Sequence, residues 1–106
     1  MKDIIKLALA QISSKRENKE ENIRKIEKLT LKAKEQGADL VIFPELSLTG
    51  YVVRDQIYEL AETVPGPSVE RIEALAKKTG THIIFGMPEL SGKTKATIFN
   101  TAVLIS

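Results

Sequence analysis

The sequence contains no cysteine among its 106 residues. This absence excludes a disulfide framework and thiolate metal sites, and it means that no cysteine nucleophile lies within these residues. The single histidine, His82, has no second histidine or cysteine with which to share a metal ion. We therefore interpret His82, at the start of an apolar run, as a structural residue, and we predict no metal site.

The sequence also lacks a large excess of charge of one sign and long hydrophobic runs. Sixteen Lys and Arg residues are interspersed with fourteen Asp and Glu residues, so the chain lacks the basic face that a nucleic-acid-binding protein needs. Residues 4–12 are apolar, but Lys6 and Gln11 interrupt them and no small-residue cleavage site follows. No run approaches the length of a membrane span. We expect a cytoplasmic protein without nucleic-acid or membrane partners.

Glycine and proline are sparse, with six and four residues, while 42% of the residues are hydrophobic and 28% are charged. This composition is typical of a globular protein. A chain of this length makes one domain that can bury roughly two thirds of the surface that the unfolded chain exposes. We therefore predict a single domain over residues 1–106.

Apolar runs alternate with segments of helical periodicity along the chain. The predicted strands cover residues 4–12, 40–43, 82–87 and 97–105, and a polar turn at 91–95 joins the last two. The first predicted helix is capped by Asn18 and ended by Gly37, and a second begins at Pro67 or Ser68 and ends at Gly80. A short helix is predicted within 55–63. Helical connections favour parallel strands, and the short turn favours an antiparallel last strand. The predicted fold class is α/β, in the order β-α-β-α-β-β.

The continuous apolar strands predict burial on both faces of the sheet, although two helices are few to cover four strands on both sides. The chain also stops one residue after the apolar run 103–105, which we interpret as a truncation. A last strand without further neighbours pairs or aggregates readily. We expect the isolated chain to be oligomeric or poorly soluble.

Glu45 is the candidate catalytic residue, because it follows the buried strand at 40–43. Pro44 cannot donate to a β-ladder, so pairing stops there and the next side chain projects at the strand's carboxyl end. In open α/β sheets, ligands bind outside the carboxyl ends of the strands. Partial burial among Phe43, Leu46 and Leu48 would raise the pKa of Glu45 toward the range of a general base. The structural alternative is a capping or ion-paired glutamate.

Other polar and small residues carry weaker signals. No GxSxG pattern surrounds Ser47 or Thr49, which we interpret as loop hydroxyls. Gly86 within a strand predicts a close approach of another backbone segment. Asn100 either lines a pocket or is an ordinary edge residue, and the second interpretation is the more common one.

Several blocks of the sequence resemble the nitrilase, or carbon-nitrogen hydrolase, superfamily, and they occur in the order and at the spacing of that family along the whole chain. The blocks are Leu9-Ala10-Gln11, Gly37-Ala38-Asp39-Leu40-Val41-Ile42-Phe43-Pro44-Glu45 through Thr49-Gly50-Tyr51, Phe85-Gly86-Met87-Pro88-Glu89 and Phe99-Asn100-Thr101-Ala102-Val103.

The resemblance implies a fold, a chemistry and a set of partners. Members have an α-β-β-α sandwich, pair into dimers or larger assemblies, and hydrolyse small amide, carbamoyl or nitrile substrates without a metal or organic cofactor. A cysteine attacks, a glutamate is the general base and a lysine stabilises developing charge. Glu45 matches the glutamate, and Tyr51 matches a position that lines the substrate pocket in some members. The resemblance makes this homo-oligomeric hydrolase the first hypothesis.

The family's lysine and cysteine would both fall beyond Ser106, and neither Lys93 nor Lys95 matches the lysine motif. The resemblance thus implies the amino-terminal part of a larger domain that is inactive alone. Two alternatives stay open. The chain could be a half-fold that acts as a binding or assembly module after losing its nucleophile, or part of a glutaminase domain of a synthetase.

Overall fold

The structure is a computed structural model that describes residues 4–15, 18–51, 54–93 and 97–106. Thr94 and Lys95, the last two residues of the predicted turn, lie outside these ranges. The elements of the described chain are β1 (Leu7–Leu9), α1 (Lys19–Glu35), β2 (Leu40–Ile42), α2 (Arg54–Leu60), α3 (Pro67–Thr79), β3 (His82–Leu90) and β4 (Ile98–Ile105). The predicted order β-α-β-α-β-β is confirmed for the strands and the two long helices, and the short helix α2 is an additional element between β2 and α3.

Helices α1 and α3 begin and end close to where local signals predicted, whereas α2 ends at Leu60 and not at the predicted limit of residue 63. The side-chain oxygen of Asn18 accepts a hydrogen bond from the backbone N–H of Glu21 at 3.0 Å and so caps α1. Pro67 is the first residue of α3, and Gly80 ends it in a left-handed conformation at φ 66°, which glycine adopts without steric cost. No helix in the described ranges is both long and apolar enough to cross a membrane.

The strands differ from the prediction mainly in length. β1 covers only Leu7–Leu9 and not residues 4–12, because its one neighbour, β2, offers three residues for pairing. β3 continues to Leu90 because β4 pairs with it from Ile105 back to Ile98. β2 ends at Ile42, but the N–H of Phe43 still donates to the carbonyl of Ile84 at 2.8 Å.

The sheet has the order β1-β2-β3-β4, with the first three strands parallel and β4 antiparallel. Right-handed crossovers that advance in one direction place their helices on the same face of a sheet. The core lies between that face and the helices. Its members include Ile23 and Ile26 of α1, Val69 and Ile72 of α3, Val41, Ile83 and Phe85 of the strands, and Phe43 directly after β2.

The opposite face of the sheet is apolar, and it is exposed at the two edge strands, β1 and β4. We call it the open face; by the strand register it carries Leu9, Ile42, Ile84 and Leu104. Leu9 is 74% exposed and Leu104 is 63% exposed. The prediction of burial on both faces therefore holds only in part, since Ile42 and Ile84 of the central strands are half-buried on this face, whereas Leu9 and Leu104 of the edge strands are exposed.

The segment between α2 and α3 is tied to α1 through Glu62. Its carboxylate contacts the ammonium of Lys19 at 2.7 Å and accepts hydrogen bonds from the N–H and hydroxyl of Ser68. Burial of Glu62 raises the pKa of its carboxyl, but the hydrogen bonds from Lys19 and Ser68 outweigh burial and leave that pKa below its ordinary value. This charged contact fixes the path of the chain into α3.

We predict that the isolated 106-residue chain self-associates through the open face, because large exposed apolar patches drive association. Replacing Leu9 and Leu104 by lysine should shift the chain toward monomer in light scattering. The control is Leu31→Lys, which changes an apolar residue of α1 that is 42% exposed and should leave association unchanged. A monodisperse monomer of the unsubstituted chain at high concentration would contradict the prediction.

Candidate active site

The segment after β2 crosses the open-face side of β3 at Gly86. A Cβ on residue 86 would lie 2.4 Å from the backbone nitrogen of Leu46 and 2.9 Å from the Cα of Glu45. Real side chains do not approach backbone atoms so closely, so only glycine permits this crossing. The predicted close backbone approach at Gly86 is confirmed, and the segment that approaches is the one that carries Glu45.

Hydrogen bonds hold the crossing loop, residues 44–50, against β3. The N–H of Leu48 donates to the carbonyl of Gly86 at 3.0 Å, and the N–H of Gly86 donates to the hydroxyl of Ser47 at 3.2 Å. The hydroxyl of Thr49 donates to the carbonyl of Gly50 at 2.9 Å. Ser47 and Thr49 are buried. Both therefore act as loop hydroxyls, in agreement with the sequence-based interpretation.

Asn22 of α1 supports the crossing loop from the other side. Its side chain is fully buried, and its amide donates to the carbonyls of Leu48 at 2.9 Å and Lys15 at 2.7 Å. The hydroxyl of Ser14 adds a bond to the carbonyl of Ser47 at 2.8 Å. Sequence reasoning missed Asn22, because an asparagine in a lysine- and glutamate-rich helix carries no signal that its amide is buried.

The side chain of Glu45 is exposed. The suggested partial burial among Phe43, Leu46 and Leu48 is not found, because Phe43 and Leu48 point into the core while Glu45 lies on the open-face side of β3. Its Oε1 accepts a hydrogen bond from the side-chain amide of Asn100. Within the described residues, no hydrogen bond reaches its second oxygen, Oε2.

Asn100 is both an edge-strand residue and a partner of Glu45. It lies on β4 opposite Pro88, and Ala102, opposite Gly86, is the next residue on the same face. Sequence reasoning favoured a plain edge residue, and that interpretation was incomplete. The contact could not be deduced from the sequence because it joins positions 55 residues apart and depends on the register of β3 and β4.

Two cavities border Glu45. One, of about 390 Å³, is lined by Glu45, Ile84, Gly86 and Asn100. The other, of about 250 Å³, is lined by Glu45, Ser14, Gly50 and Tyr51. Tyr51 is 66% exposed. The structure therefore brings the two sequence-predicted site residues, Glu45 and Tyr51, to one cavity.

His82 lies away from this site. It begins β3, whereas Glu45 follows the carboxyl end of the parallel strand β2. His82 is exposed and borders a separate cavity of about 590 Å³ with Lys77 and the end of β4. In the described ranges, no three His, Asp or Glu side chains cluster in a way that could hold a metal ion.

Comparison with known proteins decides the family. The profile of the carbon-nitrogen hydrolases matches residues 6–106. This chain belongs to the carbon-nitrogen hydrolase family. A nitrilase of Pyrococcus abyssi is 33% identical to it over 105 residues, which cover 96% of this chain and 39% of that nitrilase.

Solved structures of this family confirm the predicted α/β fold class. An amidase from Nesterenkonia sp. superposes with a TM-score of 0.79 and 26% identity, covering 94% of this chain and 37% of the amidase. Nit3 of Saccharomyces cerevisiae, a member of branch 10 of the nitrilase superfamily, gives a TM-score of 0.82 and 28% identity, covering 95% and 39%. The present carbon-nitrogen hydrolase chain thus spans less than half the length of these proteins.

We predict that Gly86→Ala lowers the free energy of unfolding of this protein by about 1–3 kcal/mol, because the new methyl group overlaps backbone atoms that cannot rotate away. The control is Gly92→Ala, where an added Cβ meets no atom within 4 Å and the expected change is within about 0.5 kcal/mol. Denaturant unfolding of both variants measures the difference. Equal midpoints would show that residue 86 does not require glycine.

Proposed function

We propose that the protein to which this chain belongs hydrolyses the C–N bond of small amides, carbamoyl compounds or nitriles, with Glu45 as the general base. The observation that carries this proposal is the placement of Glu45. Its carboxylate stands beyond the carboxyl ends of parallel strands, between two cavities, on a backbone that Gly86 and Asn22 hold in place. A general base must be positioned in this way before its basicity matters.

The proposed chemistry assigns Glu45 the proton transfers. With an amide, Oε2 takes the proton of an attacking thiol, a sulfur–carbon bond forms, and the proton passes to the leaving nitrogen as the C–N bond breaks. The same carboxylate then activates the water that hydrolyses the thioester. The resemblance of the sequence to nitrilases supports a cysteine in this role, and the 106 residues contain none.

Further parts of the proposal concern the rest of the protein. We infer that residues 1–106 are the amino-terminal part of one larger hydrolase domain, which supplies the cysteine and a charge-stabilising lysine. Tyr51 would form a wall of the substrate pocket beside Glu45. The domain would pair into dimers or larger assemblies in the cytoplasm. The 106 residues alone would be inactive, because Glu45 would have no thiol to activate.

A second candidate function is a binding or assembly module without catalytic activity. The apolar open face favours it. It differs from the first proposal in a measurable way, since a module releases no ammonia from any amide or nitrile. The full-length protein, assayed for ammonia release on small amides and nitriles, separates the two.

We predict that Glu45→Gln lowers kcat/KM of the full-length protein roughly a hundred- to ten-thousandfold, because glutamine keeps the shape of the side chain but cannot accept the proton. The thermal midpoint should hardly change, since Glu45 is exposed. The matched control is Glu59→Gln, which changes an exposed glutamate of α2 and should leave kcat/KM unchanged. A kcat/KM of the Glu45 variant within about threefold of that of the parent would contradict the assignment of Glu45 as the general base.

A further inference from the structure

We propose that Asn100 is a positioning residue that holds the carboxylate of Glu45 in the orientation required for proton transfer. This inference rests on the proposed function, in which Glu45 is the general base. The observation that supports it is the hydrogen bond from Nδ2 of Asn100 to Oε1 of Glu45.

The backbone of Glu45 is fixed, but its side chain needs a further anchor. Gly86 and the hydrogen bonds of the crossing loop place the Cα of Glu45. Beyond the Cα, an exposed glutamate rotates among several staggered conformers. Within the described residues, Asn100 supplies the one hydrogen bond to this carboxylate. The amide therefore selects the conformers of Glu45 in which Oε1 faces β4.

The strand register leaves space for this contact. Gly86 lies beneath the Cα of Glu45 and pairs with Ala102 of β4. Asn100 is the next residue of β4 on the same face as Ala102. Because residues 86 and 102 are glycine and alanine, no large side chain of that pair stands between Glu45 and Asn100. A long side chain at position 102 would occupy the path that the carboxylate takes.

The chemistry of an amide suits a positioning role. Asn100 is neutral, so it orients Glu45 without forming an ion pair that would hold the carboxylate by charge. Only its NH₂ group can donate to a carboxylate, so the direction of the hydrogen bond is fixed. With Oε1 occupied, Oε2 is the oxygen that remains to accept a proton. Misplacement of a catalytic group by about 1 Å can cost roughly a hundredfold in rate.

The test uses Asn100→Leu in the full-length protein, since leucine has a similar size and no donor. We expect kcat to fall about ten- to a hundredfold while KM stays within about threefold, because a positioning residue affects proton transfer more than substrate binding. Asn100→Asp, which replaces the donor by a second carboxylate, should show a comparable loss and serves if the leucine variant does not fold. An unchanged kcat in either folded variant overturns the inference.

The matched control is Thr101→Val on the same strand. Its hydroxyl donates to Glu89 at 2.8 Å, so the substitution also removes one hydrogen bond from β4 to a carboxylate, but not one to Glu45. We expect kcat of this variant to equal that of the parent. A loss of kcat equal to that of Asn100→Leu would indicate that loss of any hydrogen bond from β4 lowers kcat, and would overturn the positioning role.

The final arm repeats Asn100→Leu in a Glu45→Gln background. If Asn100 acts through Glu45, its loss should change kcat of this background by less than about twofold, since the base is already absent. The same large loss in both backgrounds would show that Asn100 acts independently, against the inference. Full activity of Glu45→Gln alone would instead overturn the proposed function, so the two failures are distinguishable.

Discussion

The site depends on one steric constraint, the absence of a side chain at Gly86. The backbone of Glu45 and Leu46 lies where a Cβ of residue 86 would stand, at 2.4 Å from the nitrogen of Leu46. Because of that contact, the loop after β2 lies flat on β3 and makes the hydrogen bonds of Ser47 and Leu48. The same contact brings Glu45 within reach of β4. The path of the loop and the position of the carboxylate thus depend on one glycine.

The topology places the site and the open face on the same side of the sheet. Because the parallel strands advance in one direction, β1-β2-β3, their helices cover one face only. Glu45 and Asn100 lie on the other side, the side of the open face. Any element that packs against the open face would therefore also border Glu45. Shielding of the apolar strands and enclosure of the site are geometrically linked.

Local signals made much of the fold predictable. Asn18, Pro67 and Gly80 mark helix ends through their own side chains or backbone preferences, so the sequence located those ends closely. Pro44 marked the end of β2, and the glycine at position 86 signalled a close approach. The family resemblance located Glu45 and Tyr51, and the structure places both on one cavity.

Features that depend on distant contacts could not be predicted. A continuous apolar strand has the same sequence whether one or both of its faces are covered, so the sequence indicated only that two helices are few for four strands and not which residues stay exposed. The burial of Asn22 depends on the path of a loop 26 residues away. The contact of Asn100 with Glu45 depends on the pairing of β3 with β4. A single asparagine on a strand carries no information about that register.

The most direct test of the account is a crystal structure of the full-length protein with its site complete. The account predicts that Oε1 of Glu45 binds the amide of Asn100 and that Oε2 lies within hydrogen-bond distance of a cysteine thiol, from which a general base takes the proton. A Glu45 carboxylate that is paired with a structural lysine or arginine, far from any thiol, would contradict the account.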